Sequence, residues 1–320
     1  NWDLSSLTNM HSLFNGASAF NHPIGNWDVS KVTSLSWAFW NTTAFNQDVS
    51  DWNVSSVTNM TNMFNGSNAL SNAQKGLIHS SFSSNPNWSA AGYDWSAHVP
   101  VPASLTNANF QTAVNLWCSD KAAAFGTYGH IKDWNVTGVT DMSQAFQGRS
   151  NFDENITGWN VSNVTNMYKM FEGAWVFNQP IGNWDVSSVT NMESMFKGAQ
   201  KFNHPIGDWN TSSVTTVREM FHAAFAFNQY IGDWNVSAVT HMNSIFAQAT
   251  GLSNAHKGLI HSSFSSNSNW PYDWSAHVPA PASLTNANFQ TAVNLWCSDK
   301  AAAFGTYGHI KDWNVSGVTD

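Results

Sequence analysis

The sequence is short of charge. Only 10% of its 320 residues are Asp, Glu, Lys or Arg, against roughly 25% in an ordinary soluble domain, so neutral polar side chains must carry solubility. The net charge of -8 comes without an acidic or basic block, which argues against a nucleic-acid partner and against an anionic membrane surface. No apolar run of about 18 residues and no cleavable leader is present, so no membrane contact is expected of this segment. Cysteine is nearly missing as well. Cys118 and Cys297 each sit in Asn-Leu-Trp-Cys-Ser-Asp, one thiol per duplicated unit, which excludes a disulfide framework and leaves the redox compartment open.

What is abundant is aromatic and periodic. Tryptophan falls at Trp2, Trp27 and Trp52, then at Trp134, Trp159, Trp184, Trp209 and Trp234, and again at Trp313, with a spacing of 25 residues inside each block. Phe152, Phe177, Phe202 and Phe227 form a second column, Ile156, Ile181, Ile206 and Ile231 a third, and Phe146, Phe171, Phe196, Phe221 and Phe246 a fourth. A longer period of 179 residues carries residues 93–141 onto the stretch from Tyr272 onward. Such nested self-similarity is the mark of stacked repeats. The first and last residues both fall inside a repeat, so the segment reads as part of a longer chain.

Within a repeat, Trp184 and Val186 alternate with polar neighbours, which predicts a short strand over 183–187. Met192, Met195 and Phe196 then follow helical spacing, with Ser187 or Ser188 to cap a short helix and Gly198 to stop it. The expected fold class is an α/β solenoid of leucine-rich-repeat type, with parallel-stacked strand plus short-helix repeats, helical caps and tandem modules. Stacking is what makes it stable, because one unit alone cannot bury a Trp, two Phe and several Met or Val.

The blocks divide as follows. Residues 1–98 are the C-terminal part of a first module with its cap, and 99–103 a proline-rich linker carrying Pro100 and Pro102. Residues 104–277 are a complete second module: a cap with an amphipathic helix over 104–130 starting at Thr106 or Asn107, five repeats over 131–250, and a C-terminal cap over 251–277. Residues 278–282 are a second linker, and 283–320 start a third module.

The unit Phe177-Asn-Gln-Pro-Ile-Gly-Asn-Trp-Asp-Val-Ser-Ser-Val-Thr-Asn-Met-Glu-Ser-Met-Phe196 resembles the BspA-like leucine-rich-repeat bacterial surface proteins, as do Phe110–Trp117 and Tyr128-Gly-His-Ile131 ahead of Trp134. The resemblance covers most of the chain. It implies an extracellular or surface-anchored protein with an adhesive or structural role and no catalytic residues to carry over. Departures are local: Thr211 for the repeat Val, Val217 for the first Met, and Gln47-Asp-Val-Ser50 for Gln-Pro-Ile-Gly.

Candidate chemistry is sparse. Histidines at 79, 98 and 130 reappear at 261, 277 and 309 without metal-site spacing, which favours surface or cap packing over metal ligation. Cys118 and Cys297 lie on the apolar side of a predicted helix and read as buried, inert thiols. The residue after each Trp, namely Asp3, Asp28, Asn53, Asn135, Asn160, Asp185, Asn210, Asn235 or Asn314, predicts a polar ladder along one face. Hydrogen-bonded amides are its plain reading, and calcium between adjoining carboxylates its sharper one; no other cofactor is expected. Asn-x-Ser/Thr glycosylation sequons start at Asn41, Asn53, Asn59, Asn65, Asn87, Asn135, Asn155, Asn160, Asn163, Asn210, Asn235 and Asn314.

Two functions follow as expectations. One is a structural and adhesive extracellular strand, a segment of a filamentous chain whose partners are neighbouring modules and other copies of itself. The other is a recognition module whose ladder face and exposed cap tryptophans bind a glycan or host surface protein. Catalysis is not expected.

Overall fold

A computed structural model describes residues 4, 6–280 and 282–319. Trp2 and Asp3, the first members of two columns, Pro281 of the second linker, and Asn1, Ser5 and Asp320 lie outside the described residues. The chain forms two compact units, one of residues 1–103 with 119–134 and one of 104–118 with 135–320.

In the second unit, residues 25 apart are neighbours. The backbone N–H groups of Met142, Gln144, Phe146 and Gly148 donate to the carbonyls of Asn166, Tyr168, Met170 and Glu172, and the pattern recurs through Val217, Glu219, Phe221 and Ala223 at 2.7–3.1 Å. Each accepting peptide donates in turn to the next repeat, so four columns of aligned peptides run through the block. The N–H groups between them, such as those of Ala145 and Gln147, bond three residues back. Thr165, Thr190, Thr215 and Thr240 run the other way, each donating both its N–H and its hydroxyl to the threonine carbonyl 25 residues earlier. Parallel bridges join Asp141, Asn166, Asn191, Thr216 and His241 in sequence.

Two expectations about the repeat need correction. Residues 183–187 form no strand, and 188–198 no helix. The backbone instead takes left-handed turns at two positions per repeat. The first is Gln144, Lys169, Ser194, Glu219 and Ser244 (φ 55 to 58°), and the second Gly148, Gly173, Gly198, Ala223 and Gln248 (φ 54 to 70°). The three-and-four spacing of Met192, Met195 and Phe196 comes from these turns. A left-handed non-glycine residue costs roughly 1–2 kcal/mol, offset here because the turn aims alternate N–H groups along the column.

The interior is aromatic. Phe146, Phe171, Phe196, Phe221 and Phe246 stack with ring centroids 5.5–5.7 Å apart. Each of the first four lies 3.8–4.1 Å from the phenylalanine six residues on. Trp184, Trp209 and Trp234 are buried, and their indole N–H groups donate to the carbonyls of Ile156, Ile181 and Ile206 at 2.9–3.3 Å. A buried indole needs such a partner.

The block opens on β1 (Ser104–Thr106), parallel to β2 (Asn135–Gly138), with α3 (Phe110–Ser119) between them. The cap helix thus starts at Phe110 rather than near Thr106, since 104–106 is drawn into strand pairing. It ends on α5 (Asn254–Phe264), capped by the Ser253 hydroxyl accepting from His256 N–H at 3.2 Å. Trp270, Tyr272 and Trp274 close over Phe246. The next turn of the long period supplies β3 (Ser283–Thr285), α6 (Phe289–Ser298), α7 (Lys300–Tyr307) and β4 (Asn314–Gly317), β3 pairing with β4.

The first unit repeats this build. Met10, Ser12, Phe14 and Gly16 donate to the following repeat, and Leu35, Trp37, Phe39 and Asn41 to the one after, at 2.8–3.0 Å. Helices α1 (Asn72–Phe82) and α2 (Pro86–Ala90) close it, with Trp88 fully buried against Phe64 and Phe82. Helix α4 (Lys121–Tyr128) packs on α1, so residues 119–134, expected as part of the second module's cap, belong to the first unit. Gly76 permits the approach: a Cβ there would lie 2.5 Å from the Phe125 ring. Lys121 clamps Asp51 at 2.7 Å and Asp48 at 3.7 Å.

Candidate binding surface

The column after each tryptophan is exposed but is not a ladder. In Asp28, Asn53, Asn135, Asn160, Asp185, Asn210, Asn235 and Asn314 the side-chain oxygen accepts the N–H two residues on, at 3.0–3.2 Å. These are turns closed by the residue's own side chain. A bond from this column to a neighbouring stretch is made by Asn135, to the Ser104 hydroxyl at 3.4 Å. Hydrogen bonds from Ser30 and Ser187 hold the Asp28 and Asp185 carboxyls below their ordinary value. Among the described residues no group of three or more His, Cys, Asp or Glu is placed to hold a metal ion.

The amide ladder runs through the column after the phenylalanines instead. Asp153 accepts from Asn178 N–H, Asn178 from Asn203, Asn203 from Asn228 and Asn228 from Ser253, at 2.8–3.0 Å. Asn21, Asn46 and Ser71 do the same in the first unit. Gln47, Gln179 and Gln229 each add amide bonds to the residue 26 earlier.

Of the sequon asparagines, Asn41, Asn53, Asn59, Asn65, Asn135, Asn155, Asn160, Asn163, Asn210, Asn235 and Asn314 are exposed. Asn87 is half-buried, and its amide nitrogen is committed to Val57 O and Asn85 Oδ1. At Asn135, Asn155 and Asn160 the sequon hydroxyl itself donates to the asparagine oxygen at 2.7 Å.

The cap aromatics are packing groups. The Trp88 indole donates to His79 Nδ1 and that of Trp270 to His261 Nδ1, both at 3.1 Å. Among the described residues the aromatic rings that face solvent are Trp175, 55% exposed, and Phe225, 44% exposed, two repeats apart in one column. Ser150, Gln200 and Thr250 occupy that column in the other repeats, and this break in a polar column was the available sequence signal. The same repeats carry a charge network: Lys169 on Glu172 at 3.1 Å, Lys197 on Glu219 at 2.5 Å and on Glu172 at 4.0 Å, and Arg218 on Glu193. Glu172 raises the Lys169 pKa, and Lys197 lowers that of Glu219. A polar cavity of about 500 Å³ lies where the last repeat meets its cap, lined by Asn235, Ser237, Ser266 and Asn269 among others.

Cys118 and Cys297 form no disulfide; Cys118 is half-buried and Cys297 exposed, against the expectation of buried thiols. No described helix is long and apolar enough to cross a membrane.

A family model described as Mycoplasma protein of unknown function, DUF285, matches residues 1–85, 117–210 and 176–270. No curated protein and no solved structure matches the chain.

Proposed function

The chain belongs to the DUF285 family, whose model spans its tandem repeats, and from that premise we propose that it is a segment of an extracellular, cell-surface repeat protein with a structural and adhesive role. In this reading the blocks are solenoids of leucine-rich-repeat type, strung as modules into a filament-like chain, and they carry no enzymatic activity. The proposed partners are neighbouring modules, other copies of the chain, and a glycan or host surface protein.

The observation that supports this reading is the axial bonding. Each repeat offers the next four peptide columns, a tryptophan bond and two phenylalanine stacks, so adding repeats extends length without adding a new kind of contact. Imaging the full-length protein on intact cells, together with protease shaving of those cells, tests it. Protease-accessible threads whose length scales with module number are expected; a protein found only inside the cell would refute it.

Trp175 and Phe225 favour a second role on the same scaffold. Two exposed rings about two strand spacings apart, roughly 10 Å, suit stacking on the sugar faces of an extended glycan. Trp175→Ala with Phe225→Ala should abolish retention on a glycan array; retention unchanged in that variant sinks this role.

A further inference from the structure

The four peptide columns have a direction, and it leaves donors at one end of each block. Every N–H in them points toward the following repeat, so the last repeat presents four N–H groups with no repeat to receive them. In the first unit these belong to Met60, Asn62, Phe64 and Gly66. The hydroxyl of Tyr93 accepts from Phe64 at 2.7 Å. Among the described residues the N–H groups of Met60, Asn62 and Gly66 have no acceptor. The second unit ends the same way: Tyr272 accepts from Phe246 at 3.0 Å, and Met242, Ser244 and Gln248 keep unpaired N–H groups. Two stretches of sequence therefore build the same end, with one donor of four capped.

In the first unit this end forms the wall of a cavity of about 460 Å³ lined by Asn62, Gly66, Ser67, Asn68, Lys75 and Tyr93 among others. Lys75 is the one charged residue in the lining, in a chain whose net charge is -8. Neither Lys75 nor Lys257, which stands at the same place in α5, has an ion-pair partner among the described residues. Asp94 lies next to Tyr93 in sequence but accepts from Ser96 N–H at 3.1 Å in its own turn.

We propose that this cavity is an oxyanion site, taking a phosphate or sulfate group on the free N–H groups of Asn62 and Gly66 and the ammonium of Lys75. Aligned peptides leave a partial positive charge at their N–H end, the same physics that draws phosphate to the start of a helix. Columns at Thr33 and Ala44 run in the opposite sense, so the field is that of four columns against two. Asn62 and Gly66, both left-handed, line the same opening, and a turn of that kind is a common element of anion-binding concavities.

The test is a titration of the isotope-labelled chain with inorganic phosphate and, separately, with glucose 6-phosphate, at constant ionic strength set with chloride. The Asn62 and Gly66 amide resonances should shift and saturate. Lys75→Gln should weaken this about tenfold and Lys75→Arg restore it, while the Leu35 and Phe39 amides of the same unit, bonded to Asn59 and Met63, keep their resonances in both variants and so report that its fold is retained. Tighter binding of the ester would assign the cavity to an esterified group, and equal binding to the free ion. Shifts that grow linearly without saturating, or that are unchanged in Lys75→Gln, overturn the proposal.

Discussion

Phe196→Ala probes the aromatic stack where it is deepest. Phe196 is fully buried, with rings of Phe171 and Phe221 at 5.6 and 5.7 Å along the axis and Phe202 at 4.1 Å beside it. Both axial neighbours are themselves held by four backbone hydrogen bonds per repeat and cannot collapse into the void. The loss should therefore be on the order of 3–5 kcal/mol, the range for a buried Phe reduced to Ala, or about a thousandfold in the local opening constant. Because stability in a stack is carried by nearest neighbours, the effect should be local. Hydrogen exchange read by mass spectrometry should show the largest loss of protection over 167–223, a smaller loss at 242–248 behind the cap, and none in the first unit. A loss below about 1 kcal/mol, or one spread evenly over the chain, would refute the stacking argument.

Ala223→Gly should stabilise the second unit by roughly 1 kcal/mol, since Ala223 holds φ 54° where Gly148, Gly173 and Gly198 stand in other repeats; denaturant unfolding checks it. Tyr272→Phe removes the acceptor of Phe246 N–H and should cost about 1–3 kcal/mol, with faster exchange at that amide. His130 is buried and held neutral, its pKa pushed down to about 3 from 6.5, with burial as the chief cause. The unfolded chain therefore binds a proton that the folded first unit refuses, so that unit should be most stable above pH 6.5 and lose stability as pH falls toward 3; His130→Gln should flatten that slope in pH-dependent unfolding.

The period was legible because burial selects it: each Trp, Ile and Phe column must meet its copy, so apolar identity is held at every step of 25 residues. The local backbone was not. Met192, Met195 and Phe196 fit a helix by spacing, yet Ser194 is left-handed, and nothing in a serine announces positive φ when neighbouring repeats carry Lys169 and Glu219 there. Only the glycines of the second turn column, Gly16 and Gly66 in the first unit and Gly148, Gly173 and Gly198 in the second, showed where the chain bends. The amide ladder was misplaced for a related reason. Asn after Trp and Asn after Phe recur equally often, and only the geometry separates the turn-closing Asn160 from the repeat-joining Asn178. Helix α5 was legible through Ser253 and the apolar spacing behind it, whereas α4 was not, because its packing on α1 depends on the distant Gly76.

Residues 25 apart stand one strand spacing apart. Disulfide trapping tests it most directly, in a chain with Cys118→Ser and Cys297→Ser so that only introduced thiols react. Asp185→Cys with Asn210→Cys places two exposed thiols one repeat apart, at about 5 Å between backbones, within disulfide reach, and should oxidise rapidly within one chain. Asp185→Cys with Asn235→Cys, two repeats apart at about 10 Å, should not. Equal trapping of both pairs, or of neither, would contradict the account.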